Sequence, residues 1–83
     1  MAYTKKEFGL ELKEKIKNKE DVELIGRWAL IMYYEHMFEI DDDFKKFLKD
    51  LNVMEAGPEF ARSYEELNKI ADRLIAGENV KLY

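Results

Sequence analysis

Asp41-Asp42-Asp43-Phe44-Lys45-Lys46-Phe47-Leu48-Lys49-Asp50-Leu51-Asn52-Val53-Met54-Glu55-Ala56-Gly57-Pro58 is the stretch whose reading decides the fold class. Phe44, Phe47, Leu48, Leu51 and Met54 recur at i, i+3, i+4, i+7 and i+10, the period of one helical face. Asp41 is a good N-cap, and Asp42 and Asp43 then sit at the positive end of the helix dipole. Gly57 offers a left-handed cap and Pro58 cannot continue a helix, so the spacing predicts a helix over 42–56.

The same grammar extends outward. Upstream, Val22, Ile25, Ala29 and Met32 make a stripe, and Leu24, Trp28, Ile31 and Tyr34 widen it past half the circumference. Glu20 and Asp21 fall in the first turn of this helix, which is expected over 19–39. A helix so apolar all round is expected at the centre of a small bundle. Gly26 inside it costs up to ~1 kcal/mol relative to Ala, and close approach of a neighbour would explain its presence.

At the N-terminus, Thr4 with Glu7 reads as a capping box ahead of Phe8, Leu12 and Ile16, a helix over 5–17. Downstream, Ser63 with Glu66 opens a last helix over 64–76, with Leu67, Ile70, Ala71, Leu74 and Ile75 on one face and Gly77 closing it. Phe60 in the connector, and Val80, Leu82 and Tyr83 in the tail, are expected to pack on the bundle. Short connections favour neighbouring elements in contact. The architecture predicted is all-α, a four-helix bundle forming one domain over 1–83.

Composition limits what such a domain does. The chain has 83 residues, 14 basic and 18 acidic side chains and a net charge of −4. One modest core is all this length can build, with no cleft between domains. Zero cysteines exclude disulfides, thiolate metal sites and cysteine catalysis, and are compatible with a reducing cytoplasm. No secretory signal precedes the first helix, and the apolar stretch 22–38 is broken by Glu23, Arg27, Glu35 and His36, so no membrane span is expected. The expected location is cytoplasmic.

Catalytic and metal chemistry find little footing. His36 is the only histidine, with Glu39 one turn on, whereas a di-metal bundle needs about four carboxylates and two Glu-x-x-His motifs. Asp41, Asp42 and Asp43 are adjacent, so they point in different directions and lack the spacing of a calcium loop. Thr4 and Ser63 are accounted for as caps, and no glycine-rich phosphate loop exists. No enzyme, cofactor or metal is expected. Residues 1–19 carry six lysines against three glutamates, a net +3, but they contain no Arg and read as an ion-paired face. Nucleic-acid binding is therefore not expected.

The acidic remainder is more informative. Glu35, Glu39, Asp41, Asp42 and Asp43 lie within nine residues that hold no Lys or Arg, with Tyr33 and Tyr34 directly before them. Glu55 and Glu59 add acid around the Gly-Pro connector. Charge steers an encounter and tyrosine supplies rigid contact area, so these nine residues form a candidate surface for a basic protein partner. The plain alternative is that the tyrosines are core and the acids solubilising.

Ile25-Gly26-Arg27-Trp28-Ala29, Met54-Glu55-Ala56-Gly57-Pro58-Glu59-Phe60 and Ser63-Tyr64-Glu65-Glu66-Leu67 resemble short bacterial all-helical proteins. Among these are immunity proteins of contact-dependent and other polymorphic toxin systems. The resemblance covers about residues 5–76 and transfers no functional residue. It implies a cytosolic partner-binding role, commonly inhibition of a nuclease toxin. From a different class, the alternative is a structural or regulatory helical protein that self-associates through apolar surface.

Overall fold

The computed structural model describes residues 3–82. Four helices form among them: α1 (Lys5–Lys17), α2 (Val22–His36), α3 (Asp42–Asn52) and α4 (Tyr64–Ile75), with 3-10 turns at Val53–Ala56 and Pro58–Phe60 between the last two. No strand occurs among the described residues. The all-α bundle read from the sequence is the fold observed. Helix α1 packs along α4, and α2 packs along α3 and the turn that follows it.

The caps act as their residues dictate. Thr4 Oγ1, Asp41 Oδ1 and Ser63 Oγ accept the backbone N–H of Glu7, Phe44 and Glu66 respectively. The carboxylate of Glu66 turns toward Arg62, 3.5 Å away. Helix α2 differs from expectation at both ends. Its start moves from 19 to Val22 because Lys19 takes the left-handed position after α1, with φ +53°. Lys19 N–H donates to Ile16 O and Glu20 N–H to Lys15 O, the two bonds of a Schellman stop. Its end moves from 39 to His36, where a turn closes through Glu39 N–H to His36 O.

The expected helix over 42–56 is α-helical only to Asn52 and then tightens into the 3-10 turn. Gly57 has φ 167° and ψ 164°, extended backbone open to any residue, so its left-handed freedom is not used. Pro58 opens the second 3-10 turn. Gly77, by contrast, is left-handed at φ +84° and ends α4 with the same two-bond stop as Lys19.

The core is one cluster built from all four helices, and its centre is Phe8. That ring stacks on Trp28 at 4.3 Å and meets Phe44 and Phe47 edge-on at 5.9 and 5.8 Å. Leu12, Ile25, Leu48, Leu51, Met54, Leu67 and Leu74 close around it. Two glycines permit close approach. A Cβ on Gly26 would lie 3.2 Å from Glu55 N and 3.4 Å from Leu51 O, and one on Gly9 would lie 2.9 Å from Ala71 O.

Two burial expectations fail. Helix α2 is not central: Ile25, Gly26 and Ala29 are buried, but Leu24, Ile31 and Tyr34 on its other side are exposed. Four helices of this length form two layers, so each keeps a side toward solvent whatever residues occupy it. Phe60 is also exposed rather than tucked beneath the bundle. Val80 is buried and Leu82 half-buried, as the tail reading anticipated, while Tyr83 lies outside the described residues.

Candidate functional site

The acidic run occupies the turn between α2 and α3, but its members are not equivalent. Glu39 Oε2 lies 2.8 Å from His36 Nδ1, and that hydrogen bond holds the Glu39 carboxyl below its ordinary value. The His36 ring is stacked under Tyr3, with centroids 4.0 Å apart. Burial, with the Glu11 carboxylate nearby, pushes the Tyr3 phenol well above its ordinary range. Asp41 caps α3 and its other oxygen is 3.9 Å from Lys5 Nζ. Asp43 accepts a hydrogen bond from Asn79 Nδ2 at 3.3 Å. Asp42 is fully open to solvent and Glu35 is more than half exposed, with only distant contacts, at 3.8 Å to Lys45 Nζ and 4.0 Å to His36 Nε2 respectively.

Glu55 stands apart from this group. It accepts from Arg27 Nε at 2.8 Å and from Asn52 Nδ2 at 3.0 Å, and these bonds, the arginine's foremost, hold its carboxyl below 4.5. Asn52 Nδ2 also donates to Gly26 O at 2.9 Å, which ties the end of α3 to the first half of α2. From Gly26 to Glu35 a helix rises about 14 Å. The structure therefore does not join Glu55 to the run at 35–43. Glu59 is exposed on the connector after Glu55.

The two tyrosines divide. Tyr33 is half-buried against the core, with Lys49 Nζ 5.0 Å from its ring centroid. Tyr34 meets it edge-on at 5.3 Å and is 64 % exposed. Only Tyr34 is available as an anchor.

What sequence reasoning missed is the surface to which Tyr34 belongs. Leu24, Arg27, Ile31 and Tyr34 are exposed and recur at alternate steps of three and four, the spacing of one helical stripe. Phe38 continues that spacing in the turn and is 96 % exposed. Glu35 lies beside it. The signal was present, since these residues made α2 look apolar all round. A stripe opposite Ile25 and Ala29 cannot share their partner, and that geometric step separates a buried helix from a two-faced one.

Among the described residues, no three His, Cys, Asp or Glu side chains converge closely enough to hold a metal ion. No helix there is long and apolar enough to cross a membrane. Compared with known proteins, the chain matches no family model, no curated protein and no solved structure. Functional argument therefore rests on this surface.

Proposed function

We propose that this chain is a protein-binding domain that acts by occupying its partner, an immunity-type inhibitor of a basic, nuclease-like toxin. The observation that carries the reading is Phe38, 96 % exposed in the turn between the end of α2, which bears Tyr34 and Glu35, and the start of α3, which bears Asp42. Large exposed aromatic side chains lose water on docking and supply most of the binding energy, while nearby carboxylates attract a cationic surface and speed the encounter. A nuclease holds phosphate on such a surface. Inhibition would then be occlusion, without turnover. The site of action on this reading is the cytoplasm of the bacterium that makes the toxin, in keeping with a chain free of cysteine.

The experiment is a titration against the candidate nuclease. The expected result is loss of nuclease activity at one-to-one stoichiometry, with an association rate that falls as salt rises. Glu35→Lys with Asp42→Lys should slow association at low salt, and Tyr34→Ala with Phe38→Ala should speed dissociation. Glu39 and Asp41 are left intact because they also hold the fold, through His36 and the α3 cap. An unchanged association rate in the charge-reversed variant contradicts the reading. Self-association is the second reading, favoured by the apolar stripe that continues from Phe38 toward Leu24.

A further inference from the structure

Helix α2 carries two apolar faces, and the fold uses one. The outward stripe of Leu24, Ile31, Tyr34 and Phe38 is 50, 46, 64 and 96 % exposed. From Leu24 to Phe38 it runs about 21 Å at helical rise. Among the described residues these side chains remain open, and the chain's exposed surface of 5204 Å² is the ~5,200 Å² expected of a closed monomer of this mass. Such a stripe on a small domain marks an interaction surface.

The charges on this face say what fits it. Arg27 lies in its N-terminal half and Glu35 in its C-terminal half. Glu55, itself held by Asn52, accepts from Arg27 at the side of this face, and the Arg27 side chain is still 60 % exposed. Turned end for end, the face is complementary to itself. Rotation about an axis through Ile31 sets Leu24 against Phe38 of a second copy and Arg27 toward Glu35 of that copy. It also brings Arg27 beside the second copy's Tyr34, where a guanidinium can lie over the ring. A parallel pairing would set Arg27 on Arg27 and Glu35 on Glu35.

We propose that the outward face of α2 is a homodimer interface, in which a second copy of this chain packs antiparallel about a two-fold axis at Ile31. A two-fold interface requires a self-complementary patch, and this one matches itself in shape period and in the Arg27–Glu35 pair at its centre, with the like pair of Glu23 and Glu39 left toward its rim. One helix pair of this length buries about 1,000 Å² in total, the lower bound for specific association. The dimer is therefore weak and reversible. It covers Tyr34 and Phe38, so a second copy and a basic partner exclude each other there. The proposal does not depend on the basic-partner reading, since it is tested on the chain alone.

The test is sedentation equilibrium of the purified chain from low to high micromolar concentration. The expected mass moves from 9.9 kDa toward twice that value. Ile31→Glu sets two carboxylates against each other at the axis and should weaken association more than about a hundredfold. Glu35→Arg should weaken it about tenfold, and adding Arg27→Glu should restore it, because the reversed pair is again complementary. Circular dichroism and thermal melting of each variant check that it is folded, since Arg27→Glu also removes the pair with Glu55. A wild-type mass fixed at that of the monomer overturns the proposal and assigns the face to a different partner. Association that survives Ile31→Glu, or a double reversal no better than Glu35→Arg alone, overturns it too.

Discussion

Lys19 and Gly77 hold the same position in the same motif, each the left-handed residue after a helix, at φ +53° and +84°. Only glycine takes that conformation without a clash between Cβ and the neighbouring backbone. Lys19 was invisible as a helix stop for that reason: nothing in a lysine announces a left-handed turn, and the run of lysines there reads equally well as the end of one helix or the start of the next. Lys19→Gly should stabilise the fold by about 0.5–1 kcal/mol, after the added freedom of glycine in the unfolded chain is set against the relief of strain. Urea denaturation checks it, and a lower midpoint would contradict the assignment. Glu55 gives a prediction in pH. Arg27 holds its folded carboxyl below the ordinary carboxylate range, so its contribution is fully present above that range and is lost as pH falls through the depressed value. Glu55→Gln should lower the melting temperature at neutral pH. The gap from wild type should close as the pH drops below the carboxylate range. A gap of constant size would show that the Arg27–Glu55 pairing is not its source.

At the scale of elements, α1 and α4 meet at Gly9, where an added Cβ would lie 2.9 Å from both Ala71 O and Ile75 Cγ1. The isoleucine can rotate away but the backbone carbonyl cannot. Gly9→Ala should therefore destabilise by about 1–2 kcal/mol, the overpacking outweighing up to ~1 kcal/mol of gained helix propensity. A rise in stability would show that the two helices move apart at little cost. The sequence announced a close approach at Gly26, in mid-helix, and the structure has it against Glu55 and Leu51. It said nothing about Gly9, which stands next to Phe8 on a stripe that reads well without it. Where side chains carry their own geometric rule, the elements were legible: Thr4, Asp41 and Ser63 as caps, Phe44 to Leu51 as a core face. Where the outcome depends on the neighbour, they were not. Tyr33 and Tyr34 are adjacent and chemically identical, yet one lies against the core and the other faces water, because α2 has only one helix layer beside it. The acidic run was legible as a cluster. Within it, Asp41 as a cap and Glu39 one turn after His36 could be read from spacing, whereas the bond from Asn79 to Asp43 joins residues 36 apart that no spacing could pair.

Across the whole molecule, charge and apolar surface are unevenly shared. Helix α1 and the stop that follows it present lysines at positions 13, 15, 17 and 19, while the stretch from Glu35 at the end of α2 to Asp43 at the start of α3 is acidic and the outward side of α2 is apolar. Two of the lysines have partners of the ordinary surface kind, Lys13 with Asp72 and Lys15 with Glu20, pairs that add little to stability. In the proposed dimer, α2 has one face for the fold and one for a second molecule. The most direct measurement is a two-dimensional amide NMR spectrum recorded as the chain is concentrated. The account predicts that the resonances which shift belong to residues between Leu24 and Phe38, and that Ile31→Glu abolishes those shifts while the remaining spectrum stays that of the folded protein. Resonances that stay fixed throughout, or shifts centred on α1 and α4, would contradict it.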